Sequence, residues 1–140
     1  MKSTLVDAGP LIALFDKDDR YHSQVLTFLK KYKGSLTTTW PVITEAVYIL
    51  SFSIEAQKSC LLWIKRRGLS IFDLSSDHIE RLIELMEKYS DLPMDLADAS
   101  LRVASEELHT LRIATIDSDF NIYKPRPGVS FKNELADYLK

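Results

Sequence analysis

Short runs of aliphatic and β-branched residues alternate along the chain with longer stretches in which apolar positions recur every three or four residues. The first run, Thr4 to Asp7, reads as a strand stopped by Gly9-Pro10, and Pro10 suits the first turn of a short helix from Leu11 to Phe15. Val25, Phe28, Leu29 and Tyr32 follow the i, i+3, i+4, i+7 spacing of an amphipathic helix that Gly34 terminates. Ser35 to Thr39 is a second strand, after which Pro41 opens a helix carrying Val42, Ile43, Ala46, Val47 and Leu50. The next helix spans Ile54 to Arg67, with Leu61, Leu62 and Ile64 inward and Gly68 beyond its end. Leu69 to Leu74 is a third strand. Ser76 then caps a helix bearing Ile79, Leu82, Ile83 and Met86, and after Asp91-Leu92-Pro93 another runs from Asp95 to Leu108. Arg112 to Ile116 is the fourth strand, Lys124 to Gly128 a turn, Val129 to Phe131 a short edge strand, and a last helix ends the chain.

Strands separated by far more than hairpin loops predict an α/β fold: a central parallel sheet of four to five strands flanked by helices. The length, 140 residues, fits one domain over 1–140. Open sheets of this kind bind ligands beyond the carboxyl ends of their strands. Asp7 and Asp117 are the residues on which the first and fourth predicted strands run out, with Asp119 just after.

Other acids stand out against apolar surroundings. Glu45 lies among Ile43, Ala46, Val47 and Ile49, and Asp98 between Ala97 and Ala99. Carboxylates in such places are costly unless paired, protonated or bound to a cation. Asp95, one turn before Asp98, has the simpler reading of a helix cap. Gathered together, these acids would hold a hard divalent cation such as Mg²⁺ or Mn²⁺, whose bound water attacks a phosphodiester.

Composition changes this picture little. At 46% hydrophobic and 27% charged the chain is that of an ordinary globular protein. No apolar stretch reaches the roughly 18 to 20 residues of a membrane span. Asp7 and Asp16 interrupt the apolar start as a signal peptide would not, so a cytoplasmic location without membrane contact is expected. The net charge of −2 does not advertise a nucleic-acid binder, yet neutralising four clustered carboxylates would turn it to +2. Lys30-Lys31-Tyr32-Lys33 and Lys65-Arg66-Arg67 read first as helix C-terminal cations and second as phosphate contacts. Cys60, the single cysteine, reads as an inert, partly buried thiol, and the separated His22, His78 and His109 as surface or helix-terminal residues. Trp40 and Trp63 read as core or dimer contacts before they read as base-stacking platforms.

Four segments, Val6-Asp7-Ala8-Gly9-Pro10-Leu11-Ile12-Ala13-Leu14, Thr44-Glu45-Ala46, Met94-Asp95-Leu96-Ala97-Asp98-Ala99 and Ala114-Thr115-Ile116-Asp117-Ser118-Asp119-Phe120, in this order and spacing, resemble a PIN-domain ribonuclease close to the VapC-type toxins of toxin–antitoxin pairs. The resemblance spans nearly the whole chain. It implies a Mg²⁺- or Mn²⁺-dependent ribonuclease with Asp7, Glu45, Asp98 and Asp117 as catalytic cation ligands and Asp119 as a further acidic position. Thr115 would support the site, and Asp95 would sit at its rim. It also implies an RNA substrate, homodimerisation and a cognate antitoxin. A PIN nuclease of RNA processing or turnover without an antitoxin, or a non-catalytic binding module of the same fold, would share much of this pattern. Haloacid-dehalogenase-like phosphatases and receiver domains also place Asp after a first strand. Here, however, Gly9 stands where the former carry a second Asp, and Ser118-Asp119 where the latter carry a lysine.

Overall fold

The computed structural model describes residues 3–92, 94–125 and 128–140. Strands β1 (Ser3–Val6), β2 (Ser35–Thr38), β3 (Ser70–Ile71), β4 (Arg112–Ala114) and β5 (Lys132–Asn133) form one sheet in the order β3-β2-β1-β4-β5. All four pairings are parallel, with Ser3 opposite Ser35 and Leu5 opposite Ile113. The helices are α1 (Ala8–Phe15), α2 (His22–Lys31), α3 (Trp40–Ile49), α4 (Ile54–Lys65), α5 (Ile79–Lys88) and α6 (Leu96–Leu108). The chain builds outward from β1 to β3 on one side, then crosses back to lay β4 and β5 on the other. The reversal opens a crevice beyond the carboxyl ends of β1 and β4, where a doubly wound sheet receives its ligand.

Central position explains the composition of β1. Thr4, Leu5 and Val6 are all buried, and the Thr4 hydroxyl pairs with the Tyr32 hydroxyl at 2.6 Å, so the polar group of a covered strand is satisfied. Side-chain hydroxyls also tie the strand ends to their neighbours. Thr38 donates to the Val6 carbonyl at 2.7 Å. The buried Thr39 and Ser100 hydroxyls meet at 2.6 Å, and Ser100 donates onward to the Ala97 carbonyl. Strand β2 and helix α6 are thus fixed together next to Asp98.

The expected helices form, with informative shifts. Asp7 caps α1, so that helix begins at Ala8 and includes Gly9-Pro10 rather than starting at Leu11. Ser75, not Ser76, makes the capping box with His78. Lys30, Lys31 and Lys65 do occupy last turns. Beyond α4, Gly68 lies flat against the Trp63 indole, where a Cβ would come within 2.1 Å of Cε2. Cys60 is fully buried, and burial pushes its thiol up to about 11.

Other expectations fail on packing. Leu61 and Leu62 face outward, as do Ile79, Ile83 and Met86 of α5, while Leu82 and Leu85 fill its inner face. Trp40 is 56% exposed and so lies outside the core, whereas Trp63 packs on Phe15 with ring centroids 5.8 Å apart. The edge strand falls at Lys132–Asn133 instead of Val129 to Phe131, because Lys132 and Glu134 donate to the Leu111 and Ile113 carbonyls at 2.7 and 2.8 Å. An Arg112–Glu134 ion pair braces the same register. The terminal helix is a single 3₁₀ turn, Ala136–Tyr138, pinned by buried Leu135 and by Tyr138 against Phe28. So short a segment gains too few helical bonds to extend on its own. Pro93, Arg126 and Pro127 of the expected turns lie outside the described residues.

Candidate metal centre

The crevice beyond β1 and β4 collects carboxylates. One oxygen from each of Asp7, Asp98 and Asp117 lies within 4.8 Å of the other two. Each acid is delivered by a different local device. Asp7 leaves β1 with its N–H on the Ala114 carbonyl and turns to cap α1, Oδ1 accepting from the Ala8 N–H at 2.8 Å. Asp98 sits in the first turn of α6, where the Asp95 cap accepts its N–H at 2.8 Å. Asp117 caps the 3₁₀ turn Ser118–Asn121 by accepting the Asp119 N–H at 2.9 Å.

Thr115 links two of these acids. Its hydroxyl donates to Asp7 Oδ2 at 2.9 Å, and its oxygen accepts the Asp117 N–H at 3.0 Å. Asn133 holds Thr115 in turn, donating to its carbonyl at 2.9 Å and accepting its N–H at 3.2 Å. Sequence reading missed Asn133. It lies in a short polar segment with no hydrophobic period, and only the pairing of β5 with β4 reveals its task.

Electrostatics records what assembling this cluster costs. Asp7 is buried, and burial pushes its carboxyl up to about 6 against the Ala8 and Thr115 hydrogen bonds, with Asp117 and Asp95 adding repulsion. Asp98 is also buried. Burial, then the charges of Asp95 and Asp7, push its carboxyl up to about 8. Glu45 is exposed, contrary to the apolar look of its segment, because Thr44, Tyr48 and Ile49 share its outward side of α3. It stands outside the three-acid cluster but feels it: burial and the charges of Asp95, Asp7 and Asp117 raise its pKa. Asp119 is raised by slight burial and by neighbouring Asp117. Asp95 is exposed and is the N-cap of α6.

Three convergent carboxylates, two of them buried and held above their ordinary pKa by desolvation and mutual repulsion, fit a hard divalent cation. Such an ion takes oxygen ligands and removes the repulsion that raises those pKa values. Beside them, Glu45 and Asp95 share a shallow groove of about 630 Å³ with Trp40, Tyr48 and Leu96. Apart from the acids, the histidines serve helix ends. His22 begins α2, His78 completes a capping box, and His109 is the left-handed cap of α6 at φ 52°.

Comparison with known proteins agrees with this layout. Residues 4–124 match the PIN domain family. Ribonuclease VapC26 of Mycobacterium tuberculosis is 23% identical over 130 residues, covering 91% of this chain and 96% of the relative. The crystal structure of M. tuberculosis VapC20, described as a sarcin-ricin loop cleaving toxin, superposes with a TM-score of 0.80 at 15% identity, over 94% of this chain and 99% of that one. With the family match running from β1 through the 3₁₀ turn after β4, the chain belongs to the PIN domain family.

Proposed function

We propose that this protein is a Mg²⁺- or Mn²⁺-dependent ribonuclease, the toxin component of a type II toxin–antitoxin pair. The observation that carries the reading is the meeting of Asp7, Asp98 and Asp117 at the sheet's ligand crevice in a PIN-family chain whose curated relative is a ribonuclease. Asp7, Asp98 and Asp117 would hold the cation, with Glu45 and Asp119 flanking them as further ligands. Thr115 orients Asp7, and Asp95 secures the turn of α6 that presents Asp98. When bound, such an ion lowers the pKa of its water and offsets charge developing on the scissile phosphate. Without it the carboxylates repel that phosphate, so cation and RNA bind in a linked manner.

Several features support the partners. The groove at Glu45 and Asp95 offers exposed Trp40 and Tyr48 faces on which unpaired bases can stack. The outward apolar residues of α3 to α5, among them Tyr48, Phe52, Ile54 and Ile83, are the kind of surface that a second copy or an antitoxin covers. No helix among the described residues is long and apolar enough to cross a membrane, which accords with action in the cytoplasm.

The decisive experiment sequences RNA ends after brief expression of the wild-type protein and of Asp98→Asn. New, uniform 5′ ends confined to the wild type are expected. Purified Asp7→Asn and Asp98→Asn proteins should be folded and inactive, and EDTA should silence the wild type. Full cleavage in both variants, or in EDTA, would refute the cation-dependent reading.

A further inference from the structure

Tyr123 is fully buried, yet its hydroxyl finds no hydrogen-bond partner among the described residues. Its ring is clasped edge-on by Tyr89 and Phe120, with centroids 5.1 and 5.3 Å away, and its N–H is bound to the Asp119 carbonyl in the turn that Asp117 caps. Phe120 and Phe131 build the rest of this aromatic cluster with plain phenyl rings, so packing alone does not call for a phenol. The hydroxyl faces the acids: besides burial, the charges of Asp98, Asp119, Asp117 and Asp95, in that order, push its pKa upward. A buried donor without a partner beside buried carboxylates is a group waiting for a rearrangement to satisfy it.

We propose that Tyr123 is a positioning residue of the acid cluster, its hydroxyl donating to the Asp98 carboxylate when a divalent cation is bound and so fixing which Asp98 oxygen faces the ion. The inference rests on the cation-dependent reading above. Ligating carboxylates are commonly held by such a second hydrogen bond, and its loss typically weakens metal affinity 10- to 100-fold. Thr115 already plays this part for Asp7. Tyr123 approaches Asp98 from the opposite end of the crevice, out of the aromatic cluster.

Tyr123→Phe keeps the ring and removes only the hydroxyl. Calorimetric titration with Mn²⁺ is expected to show affinity at least about 10-fold below wild type. The melting temperature of the cation-free variant should equal or exceed that of the wild type, because the removed group has no partner. Tyr89→Phe removes a neighbouring hydroxyl that acts on buried Arg102, and should leave Mn²⁺ affinity unchanged. Equal Mn²⁺ affinity in wild type and Tyr123→Phe would overturn the proposal while leaving the cation site intact. So would equal losses in the two tyrosine variants. Wild-type protein that binds Mn²⁺ no better than Asp98→Asn would overturn the cation site itself, and this inference with it.

Discussion

Asp98→Asn has a consequence for stability that is separate from catalysis. In the cation-free protein, burial and the nearby charges of Asp95 and Asp7 hold the Asp98 carboxyl at about 8 against an ordinary 3.8. A carboxyl raised in this way binds its proton more tightly in the folded state than in the unfolded one. Stability is therefore full below the unfolded pKa and is lost progressively as pH rises from about 4 to about 8. Between pH 5 and pH 7.5 the loss is about 1.4 kcal/mol per pH unit, or roughly 3 kcal/mol in all, and Asp98 is too well buried for solvent to screen much of it. For a chain of this size that corresponds to a fall of about 10 °C in melting temperature. Asn has nearly the same shape and carries no charge at any of these pH values. Thermal melts in EDTA at pH 5, 6, 7 and 7.5 should therefore show a steep decline for wild type and a shallow one for the variant. The residual slope comes from Asp7, whose own carboxyl is raised to about 6. At pH 7.5 the cation-free variant should be the more stable protein, and added Mn²⁺ should rescue only the wild type. Parallel pH curves for the two proteins would refute the claim that Asp98 is a strained, buried carboxylate.

Other parts of the structure make further predictions. Thr115→Val strips a donor from buried Asp7 and an acceptor from the Asp117 N–H, and should cost about 1–3 kcal/mol in urea unfolding. Gly68→Ala forces a Cβ into the Trp63 indole and should cost about 1–3 kcal/mol by the same measurement, with Trp63 fluorescence altered. Light scattering of the purified protein should give twice the 16.0 kDa of one chain, and a monomer at high concentration would count against the homodimer.

Much of this centre was readable because an apolar β-run that ends in Asp is hard to account for by packing alone. Asp7 and Asp117 were placed correctly from that pattern, and small Ala97 and Ala99 correctly signalled that Asp98 packs close. Glu45 was harder to place. The apolar residues around it suggested burial, but Tyr48 and Ile49 turn outward, so hydrophobicity in α3 marks a surface as well as a core. The same confusion affected Leu61, Leu62, Ile79 and Ile83, since periodicity cannot distinguish an inward stripe from one left for a partner. Asn133 and the Thr39–Ser100 pair were invisible for another reason. Their roles depend on contacts between distant segments, and neither sits in a local pattern that would announce it.

The placing of β1 at the middle of the sheet, with β4 as its neighbour, bears on how the protein is made. The Thr115–Asp7 hydrogen bond closes a span of 108 residues. A chain emerging from the ribosome displays Asp7 almost at once, but Asp98 follows only with α6, and Asp117 after β4. Until then β1 lacks one of its two strand neighbours, and the acids have nowhere to converge. Chain order thus acts as a timer: a nascent copy carries no complete acid cluster while most of its message is still being read.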